Sequence, residues 1–201
     1  MGTINRYISD LHLFHSNVLK FDNRPFSNIE EMENTIITDW NNTINKNDCT
    51  YILGDLIWSK NDSDWIRITK SLNGSKVLIK GNHDLKQYSA SVKSCFTDIK
   101  DYKEISDNGR KVIMCHYPIM CYKSSYNDNV WMLHGHVHGQ TEETNFVEKW
   151  TRDLITTSTI NKGHIINVGC MMPGVNYIPK TLDEYIILWH KKYQKELKAK
   201  Q

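Results

Sequence analysis

The stretch Val77-Leu78-Ile79-Lys80-Gly81-Asn82-His83-Asp84 starts as a strand and ends in residues that bind ligands or turn the chain. An apolar run of this length suits a buried strand. The same change of character occurs four more times. Tyr7-Ile8-Ser9 runs into Asp10, Leu11 and His12; Tyr51-Ile52-Leu53 into Gly54 and Asp55; Val112-Ile113-Met114-Cys115 into His116; and Trp131-Met132-Leu133 into His134, Gly135, His136, Val137 and His138. Ligands of open α/β sheets bind in the crevice outside the carboxyl ends of the strands, so five such ends can bring these side chains to one rim. Gly54, Gly81, Gly135 and Gly139 stand where the chain leaves a strand, and glycine permits the tight turns and close backbone approach needed there.

Working outward, strand-length apolar runs fall at 4–9, 50–53, 76–79, 111–115, 130–133, 165–168 and 185–189. Ser27 and Glu30 read as a capping box for a helix whose Ile29, Met32, Ile36, Ile37, Trp40 and Ile44 share one face. A second helix is expected from Asp62 or Ser63, burying Trp65, Ile66 and Leu72 and stopping at Gly74, and a third over 85–95. Asn161, Lys162 and Gly163 lie between ITTSTI and HIINVG, which reads as a hairpin turn. Strands alternating with helices give an α/β class, and the later strands, with less helix between them, suggest a partly antiparallel sheet.

The 201 residues suit one domain over 1–190, with 141–162 as an added polar stretch and hairpin. The formal charge is only +2, and residues 191–201 hold five Lys against one Glu, so residues 1–190 carry −2. The basic excess is therefore a C-terminal tail, read as a solvated helical end, and the broad basic face that duplex nucleic acid requires is missing. No apolar run approaches the ~18 residues of a membrane span, and the first ten residues lack the marks of a signal peptide, so a cytoplasmic location is expected. Cys49, Cys95, Cys115, Cys121 and Cys170 are scattered without a CxxC, which disfavours disulfides and zinc–thiolate sites and suggests mostly buried thiols.

The rim residues limit what it can hold. Asp10, His12, Asp55, Asn82, His116, His136 and His138 supply seven oxygen or imidazole ligands and no thiolate, more than one tetrahedral Zn²⁺ needs. Two divalent metals sharing one carboxylate, roughly 3.5–4 Å apart, fit better than one. Only Asp10 and Asp55 are formally negative, so the loaded site would stay positive and attract anions. Imidazole with carboxylate and amide oxygen favours Mn²⁺, with Fe, Zn and Ni as alternatives.

DLH, GD, GNHD, a lone His after a strand and GHVHG, in that order, resemble the calcineurin-like metallophosphoesterases from Ile8 to about Asn167. The resemblance implies a four-layer αββα sandwich of two mixed β-sheets flanked by helices. It also implies that Asp10, His12, Asp55 and His138 hold one metal, that Asp55, Asn82, His116 and His136 hold the other, and that Asp55 bridges. DLHLFH, NRPF, NVG and TLDE resemble more closely a subgroup of small prokaryotic and phage-type phosphoesterases, which makes His15 and Arg24 candidates for phosphate contact, and Asn82 is a candidate for positioning substrate as well as for holding metal. Asp55 is followed by LIWSK and GNHD stands where protein Ser/Thr phosphatases have GNHE, so protein phosphatase activity is disfavoured.

The expected reaction is direct attack by a metal-bound hydroxide on a small, nucleotide-like phosphodiester or phosphomonoester. The resemblance makes His83 the proton donor to the leaving alkoxide, with Asp84 orienting its ring. Two further readings are a nuclease acting on single-stranded nucleic acid, which is possible but not favoured, and a non-catalytic interaction scaffold. A scaffold has no chemical need for the proton donor at His83. No membrane partner is expected, and the sequence does not set the oligomeric state.

Overall fold

Strict in–out alternation along short strands builds two sheets that share one apolar interior. The computed structural model describes residues 2–139 and 141–199. Strands β1 (Asn5–Ile8), β2 (Cys49–Ile52), β3 (Ser75–Ile79) and β4 (Asp98–Lys100) form one sheet in that order, every pairing parallel. Strands β5 (Tyr102–Asp107), β6 (Arg110–Cys115), β7 (Val130–His134) and β8 (Ile165–Asn167) form the other, with β5 antiparallel to β6 and the remaining pairs parallel. Tyr7, Tyr51, Leu53, Val77 and Ile79 meet Val112, Met114, Trp131 and Leu133 in one core. Their alternates Ile8, Ile52 and Leu78 face away, as do Ile113 and Met132 on the other sheet.

The helices are α1 (Val18–Phe21), α2 (Ile29–Thr43), α3 (Asp62–Ser71), α4 (Ala90–Lys93), α5 (Glu142–Thr157), α6 (Leu182–Lys192) and α7 (Gln194–Ala199). Met32, Ile36 and Trp40 of α2 and Trp65 and Ile68 of α3 cover the outer face of the first sheet. The outer face of the second is covered by Ile119, Met120 and Tyr122 of the following loop and by Leu154 of α5. Leu182, Tyr185 and Trp189 of α6 join the core between the sheets, and the Tyr185 hydroxyl donates to the Tyr7 carbonyl at 3.0 Å. The expected α/β sandwich of two sheets with helices is therefore present. Its first sheet is parallel except for an antiparallel bridge between Tyr7 and Lys180.

Local expectations fail where a short apolar run is ambiguous. Residues 185–189 belong to α6, because Thr181 and Glu184 form a reciprocal capping box that starts a helix just before them. Residues 142–157 are helix α5, capped by Thr141, so ITTSTI is a helix end and the hairpin at 161–163 does not form. The α2 cap lies one residue later than expected, with Asn28 accepting from Glu31 N. Only four residues of 85–95 are helical. Among the cysteines only Cys170 is fully buried, and Cys121 is exposed.

Register brings the strand ends level. Ile8 pairs with Ile52 and Ile52 with Leu78, while Met114 pairs with Leu133. The sheets join at this end, where Ser9 N donates to the Val168 carbonyl and Cys170 N to the Ser9 carbonyl, at 3.0 and 2.9 Å. Every segment carrying an expected ligand leaves its strand at this seam.

Candidate metal centre

The exits from the strands are sharply bent. Asp10, His12, Asp55 and His136 all have φ between 50° and 69°, a left-handed conformation that is uncommon for residues with side chains. Two glycines make room for the carboxylates. A Cβ on Gly81 would overlap Asp55 Oδ1 and lie 2.6 Å from Asp55 N; one on Gly135 would lie 2.6 Å from Asp10 Oδ2. Ligand-bearing loops from both sheets can approach only because these positions lack side chains.

Two sets of ligand atoms converge within 4.8 Å of one another, namely Asp10, His12 and His138, and Asp10, Asp55 and His116. Asp55 Oδ2 lies 3.6 Å from both His12 Nε2 and His116 Nε2, between the two sets. Asn82 Oδ1 is 2.9 Å from His116 Nε2 and 2.9 Å from His136 Nδ1. The structure thus brings all seven expected ligands together. Both of its tightest sets contain Asp10, in addition to the shared carboxylate expected at Asp55.

Hydrogen bonds at the far ring nitrogens decide which nitrogens face the cluster. His116 Nδ1 lies 2.7 Å from the Leu53 carbonyl, which can only accept, so Nδ1 carries the proton. Nε2 is then the ring nitrogen that faces Asn82 Oδ1 and Asp55 Oδ2. His138 Nδ1 lies 2.6 Å from Asp22 Oδ1, so its Nε2 likewise faces His12 Nε2, 3.2 Å away, and Asp10 Oδ1, 3.9 Å away. Lone pairs and buried carboxylates facing one another at these distances require protons or cations between them. Divalent cations fit this donor set. Burial raises the Asp10 pKa, with nearby His116 and His138 acting against it, and burial lowers that of His12. Burial also acts to lower His138, but its hydrogen bond to Asp22 and the neighbouring Asp10 carry it upward.

Asp22 and Trp58 belong to the site although no sequence motif singled them out. Asp22 joins His138 to Arg24, whose Nη2 and Nε donate to Asp22 Oδ2 at 2.8 and 3.0 Å. Arg24 also donates to the Asp10 and Leu11 carbonyls, both at 2.8 Å, and its side chain is completely buried. The expectation of phosphate contact by Arg24 is therefore corrected, because its guanidinium is committed to holding the Asp10–Leu11 backbone and Asp22. Asp84 is corrected as well. It accepts from Asp55 N, Leu56 N and Gly81 N at 3.0, 3.0 and 2.8 Å and so ties two ligand loops together rather than orienting the His83 ring. Burial lifts its pKa to about 6 against those hydrogen bonds. His83 is exposed, with its backbone N–H on Asp55 Oδ1 at 2.9 Å and its ring 4.6 Å from Trp58. His15 stacks on Trp58 at the mouth, with centroids 4.1 Å apart.

The calcineurin-like phosphoesterase family profile matches residues 7–193. An uncharacterized protein of Methanocaldococcus jannaschii, MJ1445, is 36% identical over 186 residues, covering 92% of this chain and 90% of its own. The crystal structure of AQ665 from Aquifex aeolicus, a protein of unknown function, superposes with a TM-score of 0.66 at 27% identity. That match covers 93% of this chain and all of the other. No helix among the described residues is long and apolar enough to cross a membrane.

Proposed function

The chain belongs to the calcineurin-like phosphoesterase family, and on that premise we propose that the rim is a two-cation centre hydrolysing small phosphoesters, mono- or diesters. The convergence of Asp10, His12, His138, Asp55 and His116 carries this reading, because it aims buried acceptors at one another with nothing but a cation or proton to reconcile them. Asp10, His12, Asp55 and His138 would hold one ion, and Asp55, Asn82, His116 and His136 the other. Mn²⁺ is the ion we expect from a donor set of oxygen and imidazole nitrogen, with Fe, Zn and Ni as alternatives. When bound, two such ions neutralise charge on the phosphoryl oxygens and activate water for in-line attack.

The protein's own groups then do the following. Leu53 O and Asp22 hold His116 and His138 as ligands rather than bases. Asp84 fixes the Asp55 loop to the Gly81 loop. His83 stands at the mouth outside the ligand sets, where it can give a proton to the leaving oxygen. Five free cysteines suit a reducing compartment, and we assign the protein to the cytoplasm.

The test is to strip the protein of metal, restore Mn²⁺, Zn²⁺, Fe²⁺ or Ni²⁺ separately, and measure hydrolysis of matched aryl mono- and diesters. Turnover is expected with at least one ion. Its absence with all four would return the chain to the scaffold reading. His83→Ala should lower turnover about 10²–10⁴-fold for esters with poor leaving groups and far less for 4-nitrophenyl esters, with metal content unchanged. Equal losses across leaving groups would remove His83 from the proton-donor role.

A further inference from the structure

Two exposed aromatic surfaces flank the centre, and they attach to different ligands. At the His12 end Trp58 is 42% exposed, stacks on His15 with 9° between the rings, and lies 4.6 Å from His83 and 6.3 Å from His12. Phe21, 72% exposed, meets His15 edge-on at 5.8 Å. At the other end Tyr117, 47% exposed, meets His136 at 4.6 Å and His116 at 5.2 Å. From there a groove of about 490 Å³ runs past Pro118 and Met120 to exposed Phe146 on α5. Trp58 and Tyr117 share no ring partner among the described residues.

Charge distinguishes the ester classes. A phosphomonoester has one organic arm and carries close to two negative charges at neutral pH, whereas a diester has two arms and one charge. Glu142 and Glu143 line the groove, exposed and without an ion-pair partner among the described residues, and they penalise added negative charge. Arg24, the cation expected at the phosphate, is sealed into its contacts with Asp22 and the Asp10–Leu11 backbone. A second aromatic surface would have no partner on a substrate with one arm.

We propose that the centre takes a small phosphodiester with a planar ring on each arm, one ring against Trp58 and the other along Tyr117 and Phe146; this rests on the phosphoester reading above. Because His83 lies against Trp58, the arm on Trp58 is the one that leaves. Water forms the new P–O bond as the P–O bond to that arm breaks. His83 gives a proton to the departing alcohol or phenol and is restored by one water proton, while the other water proton goes to the phosphomonoester that keeps the retained arm.

The test compares three substrates on the metal-reconstituted protein: bis(4-nitrophenyl) phosphate, methyl 4-nitrophenyl phosphate and 4-nitrophenyl phosphate. All three have the same leaving group; the second nitrophenyl also doubles the departing arms and activates phosphorus, so rates are divided by those of the uncatalysed hydrolyses before the second arm and the charge are read from them. The bis-aryl diester should exceed both others in kcat/KM by about 10-fold, the amount expected of one stacked ring. Tyr117→Ala should lower the bis-aryl to methyl-aryl ratio by about 10-fold relative to the parent protein, chiefly through KM, with metal content retained, and Tyr117→Phe should restore the ratio. Monoester turnover equal to or above that of the bis-aryl diester overturns the proposal and leaves the phosphoester reading standing. A ratio unmoved by Tyr117→Ala, or faster cleavage of a single-stranded oligonucleotide, overturns it in the same way. Failure of all three esters overturns both.

Discussion

His116 and His138 both turn Nε2 into the ligand cluster, but His116 is steered by a backbone carbonyl and His138 by a side chain. Leu53 O follows directly from β2, so the His116 tautomer is set wherever the sheet forms, and the ring is fully buried. His138 depends on Asp22, which depends in turn on Arg24, and its side chain is 23% exposed. One half of the centre is therefore fixed by the fold and the other by a chain of three side chains. Metal occupancy in the two halves should be separable by mutation.

The largest effect should come from a change that spares neither half. Gly81→Ala places a methyl group onto Asp55 Oδ1 and 2.6 Å from Asp55 N, and Asp55 Oδ2 sits 3.6 Å from the imidazoles of both halves. Activity should fall at least about 100-fold, as misplacement of a reacting geometry by an ångström does. Overpacking should cost about 1–3 kcal/mol of stability. Metal titration by calorimetry should show both sites weakened; loss of one alone would contradict a shared position for Asp55.

Asp22→Asn should divide the halves. The amide can offer its oxygen to His138 Nδ1 or its NH₂ group, but it cannot also keep the charged contact with Arg24. The site containing His138 should bind metal about 10–100-fold more weakly, the usual range for a lost outer partner of a metal-ligating histidine. The site containing His116 should retain its affinity, and mass spectrometry at limiting metal should find one equivalent where the parent protein holds two. Equal weakening at both sites would show that Asp22 acts through the general fold and not through His138.

The same contrast explains what could be read from the sequence. Candidate ligands delivered by strand ends were legible, because an apolar run followed closely by Asp, His or Asn marks both the strand and its exit. That pattern picked out Asp10, His12, Asp55, Asn82, His116, His136 and His138 as candidates, and the register then brings their strand ends level. Residues acting through side-chain geometry were not. Asp22 and Arg24 are two positions apart in a turn, and nothing in their spacing says that one guanidinium closes over the Asp10–Leu11 backbone 13–14 residues upstream. Asp84 next to His83 suggested a dyad, whereas three backbone N–H groups claim its carboxylate. In the fold, six of the eight strands could be read from short apolar runs, β4 and β5 could not, and 185–189 and 142–157 became helices through caps at Thr181 and Thr141.

The smallest effect on activity should come from a histidine remote from the rim, which separates the acid response of the fold from that of the centre. His164 stacks face to face on Trp131, centroids 4.0 Å apart, and meets Trp189 edge-on at 5.1 Å; its Nδ1 is buried without a hydrogen-bond partner. Burial holds its pKa down at about 4, well below the usual 6.5. Between those values the unfolded chain binds a proton at this residue that the folded chain does not. Stability from this source is therefore complete above pH 6.5, declines as pH falls toward 4, and levels off below. The loss is about 2–3 kcal/mol once partial solvent screening is allowed for. His164→Gln removes the titrating group, so its denaturant midpoint should vary less between pH 6.5 and 4 than that of the parent, with ester hydrolysis at pH 7 changed less than two-fold. An unaltered pH slope would assign the acid sensitivity to the ligand histidines.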